Sequence, residues 1–121
     1  MTLWEKRRVL AQTTCEQQPG AELTFPFGDG VEVYKVAGKM FALIALGDSP
    51  HLDVKVAPQD GIELREMHPT LEPGYHLNKR HWITVRLADE RIPGDLIVDL
   101  IEDSHALVVA TLPKRDQPRY R

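Results

Sequence analysis

The chain has 121 residues, enough for one hydrophobic core, and its 42% hydrophobic and 27% charged residues are typical of a globular protein. The longest apolar run, MFALIAL at 40–46, is far shorter than the roughly 18 residues that span a bilayer, and MTLWEKRRVL lacks the apolar region of a signal peptide. A formal net charge of −3 at pH 7 disfavours nucleic-acid binding by the surface as a whole, and the single cysteine, Cys15, excludes an intramolecular disulfide. We therefore expect a cytoplasmic protein of one domain with no membrane segment.

The first predicted element is a helix. Thr2 can cap its N-terminus, and Glu5, three residues later, completes the pattern of a capping box. Apolar or small residues recur at helical spacing as Leu3, Trp4, Leu10, Ala11, Thr14 and Cys15. The sequence QPG at 18–20 ends the helix, and the sequence PFGDG at 26–30 predicts a turn after residues 21–25.

Three strands are predicted next, at 31–36, 39–46 and 51–56. Apolar and polar residues alternate in the first and third, and the second is the apolar run, whose length suits a strand. Ala37 and Gly38 form a tight turn between the first two strands, which therefore make a β-hairpin. In the third strand, positions 52, 54 and 56 are apolar and point to one face, whereas Asp53 and Lys55 point to the other. Because the connections are short, we expect an antiparallel meander.

The second half of the chain adds helices and at least one strand. A short helix is predicted over 57–69, beginning near Pro58, since proline is favoured in a first helical turn. The sequence WITVRL at 82–87 predicts a strand. Residues 95–112 have helical spacing, with Ser104 as the N-cap of a second helix after a bend. Hairpin-linked strands predict an α+β fold in which helices pack against an antiparallel sheet.

Two segments lie outside these elements. For FPFG at 25–28 we expect a hydrophobic plug that closes one end of the core, rather than a loop that grips a ligand, because Phe25 and Phe27 have few polar neighbours. The segment 114–121 carries four bases and one acid, which leaves a formal charge of −6 on residues 1–113. We expect a single domain over 1–113 and a basic, frayed tail over 114–121.

The sequence patterns of catalytic and metal sites are weak. The histidines, at positions 51, 68, 76, 81 and 105, have no metal-ligand spacing, so we interpret them as surface or hydrogen-bonded residues. Cys15 lies on the apolar stripe of the first helix, which predicts a buried side chain rather than a nucleophile. The paired carboxylates fall in loops or on solvated helix faces: Asp89 with Glu90, Glu102 with Asp103, and Glu63 with Glu66. We predict no catalytic residue, no metal and no cofactor.

Basic residues are the remaining candidates for a functional site. The stretch YHLNKRHW at 75–82 concentrates cations, imidazoles and aromatic rings. Cations from three segments would meet if their turns share one edge of the sheet: Lys35, Lys39, Lys55, Lys79 and Arg80. With Tyr34, Tyr75 or Trp82 nearby, such a cluster suits contact with phosphates and stacking on bases.

A purely structural interpretation of the same residues stays open. Lysines at turns and sheet edges keep a protein soluble and prevent pairing between sheets. Trp82 would then belong to the core, and Glu32 and Asp53 would neutralise the lysines across neighbouring strands.

Several blocks of the sequence, in this order, resemble the MmcQ/YjbR family of small bacterial proteins. They are FPFGDGVEVYKVAGKMFALI, LDVKVAP, GYHLNKRHWITV and LIEDSHALVV, and they cover the chain from about Phe25 to Leu112. His105 stands where the family usually has an aromatic residue after the late serine. The resemblance implies a single α+β domain with a curved antiparallel sheet, similar to the type III secretion chaperone-like fold. In that fold two β-hairpins look like a pair of wings beside a basic surface.

The resemblance also implies DNA binding without catalysis. The residues that match the family's motifs by position are Lys35, Gly38, Lys39, Phe41, Lys55, His76, Asn78, Lys79 and Trp82. The lysines, together with Arg80, would contact phosphates. His76 and Asn78 would donate hydrogen bonds or hold the loop, and Trp82 would stack on a base or support the loop.

Two other functions stay open at this point. One is a protein-interaction or chaperone-like module that uses the sheet face and an exposed apolar patch. The other is a binder of a small phosphate-bearing anion in a concavity beside Lys55 and Lys79. For the oligomeric state we expect a monomer or a weak dimer.

Overall fold

The structure is a computed structural model that describes residues 1–75 and 77–119. Its elements are α1 (Leu3–Gln17), β1 (Ala21–Thr24), β2 (Val31–Val36), β3 (Lys39–Ala45), β4 (His51–Lys55), α2 (Pro58–Met67), β5 (Glu72–Pro73), β6 (Trp82–Arg86), α3 (Gly94–Ala110) and a 3-10 turn at Lys114–Asp116. Among the described residues, no helix is both long and apolar enough to cross a bilayer. The elements confirm the predicted α+β class.

The strands form one antiparallel sheet in the order β1-β2-β3-β4-β6-β5. The β2–β3 hairpin turns at Ala37 and Gly38, whose φ angles of 48° and 79° are both positive, as the type I′ turn that suits strand twist requires. The predicted strands are confirmed to within one residue at their ends. β1 is a strand that the sequence pattern does not predict, because its single large apolar residue, Leu23, is 41% exposed at the sheet edge.

The two faces of the sheet differ in what covers them. α1 and α3 pack against each other and against one face, which we call the helix-covered face. The largest buried side chains of this core include Tyr34, Phe41, Ile44, Leu52, Ile83, Ile97 and Ile101. The other face, here called the open face, carries the alternate residues of the register: Val31, Val33, Lys35, Leu43, Ala45, His51, Asp53, Lys55, Trp82, Thr84 and Arg86.

Ser104 joins α3 to the sheet instead of starting a new helix. α3 runs unbroken from Gly94 to Ala110, so the predicted bend and second N-cap are wrong. The register of β2 against β3 shifts at Tyr34/Lys35, which leaves Phe41 as an extra residue in β3. Beside it, Ser104 Oγ donates to the Phe41 carbonyl at 2.6 Å and accepts from the Lys55 amide at 2.8 Å. The hydroxyl therefore bridges two backbone groups of β3 and β4 beyond their last paired residues.

α1 begins and packs largely as its sequence predicts. Thr2 Oγ1 accepts a hydrogen bond from the Glu5 amide at 3.2 Å and donates one to the Glu5 carboxylate at 3.0 Å. Cys15 is 0% exposed, which confirms the buried small side chain, and burial raises the pKa of its thiol well above the ordinary value. Leu3, by contrast, stays exposed.

The C-terminal segment contacts the domain at Gln117 and at Pro118, which lies beside Gly20. The Gln117 side-chain amide donates to the Leu112 carbonyl at 3.0 Å, after the 3-10 turn at Lys114–Asp116. The division into a domain over 1–113 and a tail over 114–121 stays a prediction.

Candidate functional site

The strand directions bring the predicted basic residues to one end of the sheet. β2 and β4 run in the same direction because each is antiparallel to β3, so Lys35 and Lys55 lie near equivalent ends. Lys39 begins β3 at that end. The turn with Lys79 and Arg80 leads directly into β6, which is antiparallel to β4, and therefore lies there as well. We call this part of the molecule, defined by these five residues, the basic end.

The strand cations are divided between the two faces. Lys35 and Lys55 lie on the open face, about 10 Å apart across the sheet, since one strand separates β2 from β4. Lys39 is paired in register with the core residue Val36 and so lies on the helix-covered face. Its Nζ is 3.4 Å from Oγ1 of Thr111, the residue that follows α3.

Asn78 organises the turn before β6. Its side-chain oxygen accepts a hydrogen bond from the Arg80 amide at 2.9 Å. Its backbone carbonyl accepts from the amides of His81 and Trp82 at 3.2 Å and 3.0 Å. The predicted site residue His76 lies outside the described residues.

The aromatic residues near the basic end have different environments. Tyr34 is 1% exposed on the helix-covered face, so its predicted availability for stacking is wrong. Trp82 is half-buried and packs against Gly74, where an added Cβ would lie 2.8 Å from the Trp82 Cβ. The carbonyl of Gly74 also accepts a hydrogen bond from Lys79 Nζ at 3.2 Å. Trp82 thus supports the turn before β6 by packing against the backbone at Gly74.

The cations of the basic end are not paired with carboxylates in the part of the chain that the structure describes. The ion pairs there are His51–Asp53, Arg86–Glu72 and Arg91–Asp89. The prediction that Glu32 and Asp53 neutralise lysines is therefore wrong. The Glu32 carboxylate accepts hydrogen bonds from Gln12 and Tyr34 instead. The Asp53 carboxylate accepts one from Thr84.

A groove between α2 and the turn before β6 gathers three cations. It has a volume of about 340 Å³ and is lined by Pro58, Gln59, Ile62, Arg65, Lys79 and Arg80. Arg65 was not among the predicted site residues. It is a basic residue in the last turn of α2, where a cation is favoured by the helix dipole, and this local pattern does not indicate contact with Lys79 and Arg80.

A pocket occupies the open face at the opposite end of the sheet. It has a volume of about 430 Å³ and is lined by Phe27, Val31, Leu43, Ala45, Tyr75 and Leu77, with His51 and Asp53 as its polar members. Phe27 is 70% exposed and Phe25 is 48% exposed. The prediction that FPFG plugs the core is therefore wrong, since Phe27 borders this pocket instead.

Asp53, which is buried, and His51, which is partly exposed, form a polar pair at the pocket wall. Asp53 is 1% exposed, and its Oδ1 accepts a hydrogen bond from Thr84 Oγ1 at 2.5 Å. His51 Nε2 lies 3.5 Å from Asp53 Oδ2, and His51 Nδ1 lies 3.0 Å from the Ser49 carbonyl oxygen. A carbonyl only accepts, so Nδ1 carries a proton. The hydrogen bond with Asp53 raises the pKa of His51, and this effect outweighs burial, which lowers it. The imidazolium form of His51 is therefore favoured.

Sequence reasoning missed this pair, although a signal for it exists. Asp53 stands between Leu52 and Val54 in a strand that is otherwise buried, and a carboxylate in such a position requires partners. The partners come from His51, two residues away, and from Thr84 on β6, which the strand pattern alone does not pair with β4.

The other titratable groups give no indication of catalysis. Within the described residues, no group of three or more His, Cys, Asp or Glu side chains is arranged to hold a metal ion. Arg91 lowers the pKa of Asp89 to about 2 through hydrogen bonds from its guanidinium and backbone amide. Burial, with smaller contributions from Asp99 and Asp60, raises the pKa of Asp103.

Known proteins show close similarity to the chain in sequence. The family model described as YjbR matches residues 16–107. The uncharacterized protein YbdF of Escherichia coli is 44% identical over 104 residues, which are 85% of this chain and 84% of YbdF. The uncharacterized protein YjbR of Escherichia coli is 33% identical over 101 residues, or 83% of this chain and 85% of YjbR.

Solved structures show that the fold is shared as well. A crystal structure of a Deinococcus radiodurans protein with a DUF419 domain superposes with a TM-score of 0.79 at 39% identity, over 87% of this chain and 80% of that one. A crystal structure of a Pseudomonas syringae protein superposes with a TM-score of 0.65 at 27% identity, over 84% and 97% of the two chains. The resemblance in sequence is thereby confirmed: the chain belongs to the YjbR family.

Proposed function

We propose that the protein is a cytoplasmic DNA-binding module without catalytic activity and that the basic end contacts the phosphates. The observation that carries the proposal is the convergence of five cations at one end of the sheet, with no ion pair to a carboxylate among the described residues. An unpaired ammonium or guanidinium group can neutralise a phosphate, and the counterions released from DNA then drive association.

Two hairpins serve as the wings of this module. The β2–β3 hairpin carries Lys35 and Lys39 on opposite faces beside its tight turn, and the segment between β5 and β6 carries Lys79 and Arg80. The wings are separated by β4, which puts β3 and β6 about 10 Å apart. That spacing is comparable with the roughly 12 Å width of the DNA major groove. Lys55, at the end of β4, lies between the wings.

The neutral residues of the turn have supporting roles in this proposal. Asn78 holds the turn through hydrogen bonds to Arg80, His81 and Trp82, so its contribution is to fix the positions of the neighbouring cations. Trp82, half-buried under Gly74, supports the same turn.

Further positive charge lies close to the basic end. Thr111, which contacts Lys39, is followed by the 3-10 turn whose exposed residues include Lys114 and Arg115. Because the whole chain has a formal charge of −3, the positive field is local and the binding is expected to depend steeply on salt.

Fluorescence anisotropy with a short labelled DNA duplex at low salt tests the proposal. We expect the Lys35→Ala/Lys39→Ala/Lys79→Ala variant to lose most of the wild-type affinity. The Lys6→Ala/Arg91→Ala variant removes exposed cations near the opposite end of the sheet and should bind like the wild type. Circular dichroism verifies that each variant is folded. No binding by the wild type at low salt, or equal binding by the triple variant, would rule out DNA contact by the basic end.

The groove lined by Arg65, Lys79 and Arg80 favours a second candidate, a small phosphate-bearing ligand. Three cations around about 340 Å³ can surround a single phosphate group. Thermal-shift measurements with mononucleotides, sugar phosphates and inorganic phosphate separate the two functions. Stabilisation by mononucleotides that Arg65→Ala abolishes and Lys35→Ala leaves intact, without DNA binding, supports the small ligand.

A protein partner and the oligomeric state stay predictions. A monomer or weak dimer is expected, and light scattering at several protein concentrations measures it.

A further inference from the structure

The pocket on the open face is separate from the basic end and has its own chemistry. Val31, Ala45 and His51 lie opposite one another where β2 and β4 begin and β3 ends, away from the cations. We propose that this pocket binds a small apolar molecule with one hydrogen-bond-donating group, a hydroxyl or an amine, and that this donor meets the Asp53 carboxylate.

The walls of the pocket set the apolar character of the ligand. Val31, Leu43 and Ala45 form its base on the sheet, while Phe27 and Tyr75 border it from two loops. Phe27 is 70% exposed and Tyr75 is 50% exposed, so a ligand between them would remove aromatic surface from water. The volume of about 430 Å³ lies within the range of roughly 300–1,000 Å³ that small-molecule sites occupy.

At the polar end of the pocket, the Asp53 carboxylate favours a ligand that donates a hydrogen bond. Asp53 accepts a hydrogen bond from Thr84 and is in an ion pair with His51, and an ionised carboxylate can accept about four hydrogen bonds. It can therefore accept another from a ligand. His51 already uses Nδ1 at the Ser49 carbonyl and turns Nε2 toward Asp53. An anionic ligand would bring a second negative charge to the carboxylate and is disfavoured.

Packing alone does not explain an acid at this position. A carboxylate at 1% exposure is costly to remove from water, and a strand position against an apolar wall is ordinarily filled by a β-branched or aromatic residue. A largely apolar concavity with a few convergent polar groups is the usual form of a ligand site. The pocket has this form, with the buried Asp53 carboxylate and the His51 imidazole as its polar members.

A matched series of naphthalene derivatives tests the proposal by NMR titration of the labelled protein. The probes are 2-naphthol, 2-(aminomethyl)naphthalene, 2-methylnaphthalene and 2-naphthoate. We expect at least one donor-bearing probe to shift the amides of β3 and β4 around the pocket and to bind about 10-fold or more tightly than 2-methylnaphthalene. The naphthoate is expected to bind most weakly. The hydroxyl and amine arms identify which kind of donor the pocket accepts.

Two variants and a control assign the binding to this pocket. Asp53→Asn keeps an oxygen that can accept from the Thr84 hydroxyl. This variant should bind the donor-bearing probes no more tightly than it binds 2-methylnaphthalene. Ala45→Leu places a larger apolar side chain at the base and should block every probe while the protein stays folded. Lys6→Ala changes an exposed residue of α1, on the helix-covered side of the sheet, and should bind the probes like the wild type. Absence of probe binding, equal affinity for donor and methyl probes, or undiminished binding by Ala45→Leu overturns the proposal.

Discussion

The bridge that Ser104 makes between α3 and the sheet predicts a large loss of stability when its hydroxyl is removed. In Ser104→Ala the Phe41 carbonyl and the Lys55 amide lose hydrogen bonds of 2.6 Å and 2.8 Å beside a side chain that is 0% exposed. Each backbone group left without a partner in the interior costs about 1–3 kcal/mol, whereas alanine gains up to about 0.5 kcal/mol in helix propensity. For the two groups together, less the helix-propensity gain, the free energy of unfolding should therefore fall by about 1.5–5.5 kcal/mol.

Urea denaturation followed by circular dichroism measures this change, with Thr13→Ala as the control. Thr13 is an exposed residue of α1, so its replacement should alter the free energy of unfolding by no more than about 0.5 kcal/mol. If Ser104→Ala is as stable as that control, the hydroxyl does not complete the β3–β4 ladder and the bridging role is refuted.

Three further predictions concern charge and packing. Asp103→Asn should stabilise the fold at neutral pH by about 0.2–0.5 kcal/mol, because burial and the Asp99 carboxylate one turn away raise the pKa of Asp103. This gain in the free energy of unfolding should vanish as pH falls through the raised pKa of Asp103, because the wild-type carboxyl is then neutral too. Urea denaturation at neutral and acidic pH measures the gain, and an equal gain at both contradicts the prediction. Gly74→Ala should cost about 1–3 kcal/mol, because its Cβ would lie 2.8 Å from that of Trp82; an unchanged melting temperature contradicts this. The wild type should be more stable than His51→Gln, by the largest amount below about pH 6.5, where the imidazolium is present. The difference in the free energy of unfolding should shrink as pH rises through the raised pKa of His51. A difference that does not depend on pH contradicts the ion pair.

Local patterns in the sequence predict most of the fold. The alternation in β2 and β4, the apolar run of β3 and the Ala37–Gly38 turn specify a hairpin and a third strand through neighbouring residues alone. β1 is not predicted because its only large apolar residue is an exposed leucine, so the sequence has no apolar face that would indicate a strand. Ser104 is misplaced because a serine between acidic and apolar residues has the local pattern of an N-cap. Its partners, Phe41 and Lys55, are distant in sequence.

The candidate sites depend on pairings that local patterns do not contain. The sequence names the cations, but β4 must pair with β6 before Lys55 and Lys79 lie at one end of the sheet. The same pairing brings Thr84 to Asp53. Phe27 has the composition of a core residue, and its place beside a pocket follows from the fold of the loop rather than from its hydrophobicity.

The central claim is that the basic end binds DNA phosphates, and the salt dependence of the association constant tests it most directly. If all five cations each neutralise one phosphate, the logarithm of the association constant should fall with the logarithm of salt concentration with a slope of about −4.5. For Lys79→Ala/Arg80→Ala we predict a slope of about −2.7, while Lys6→Ala/Arg91→Ala keeps the wild-type value. A slope near zero, or one that the removal of Lys79 and Arg80 leaves unchanged, contradicts the account.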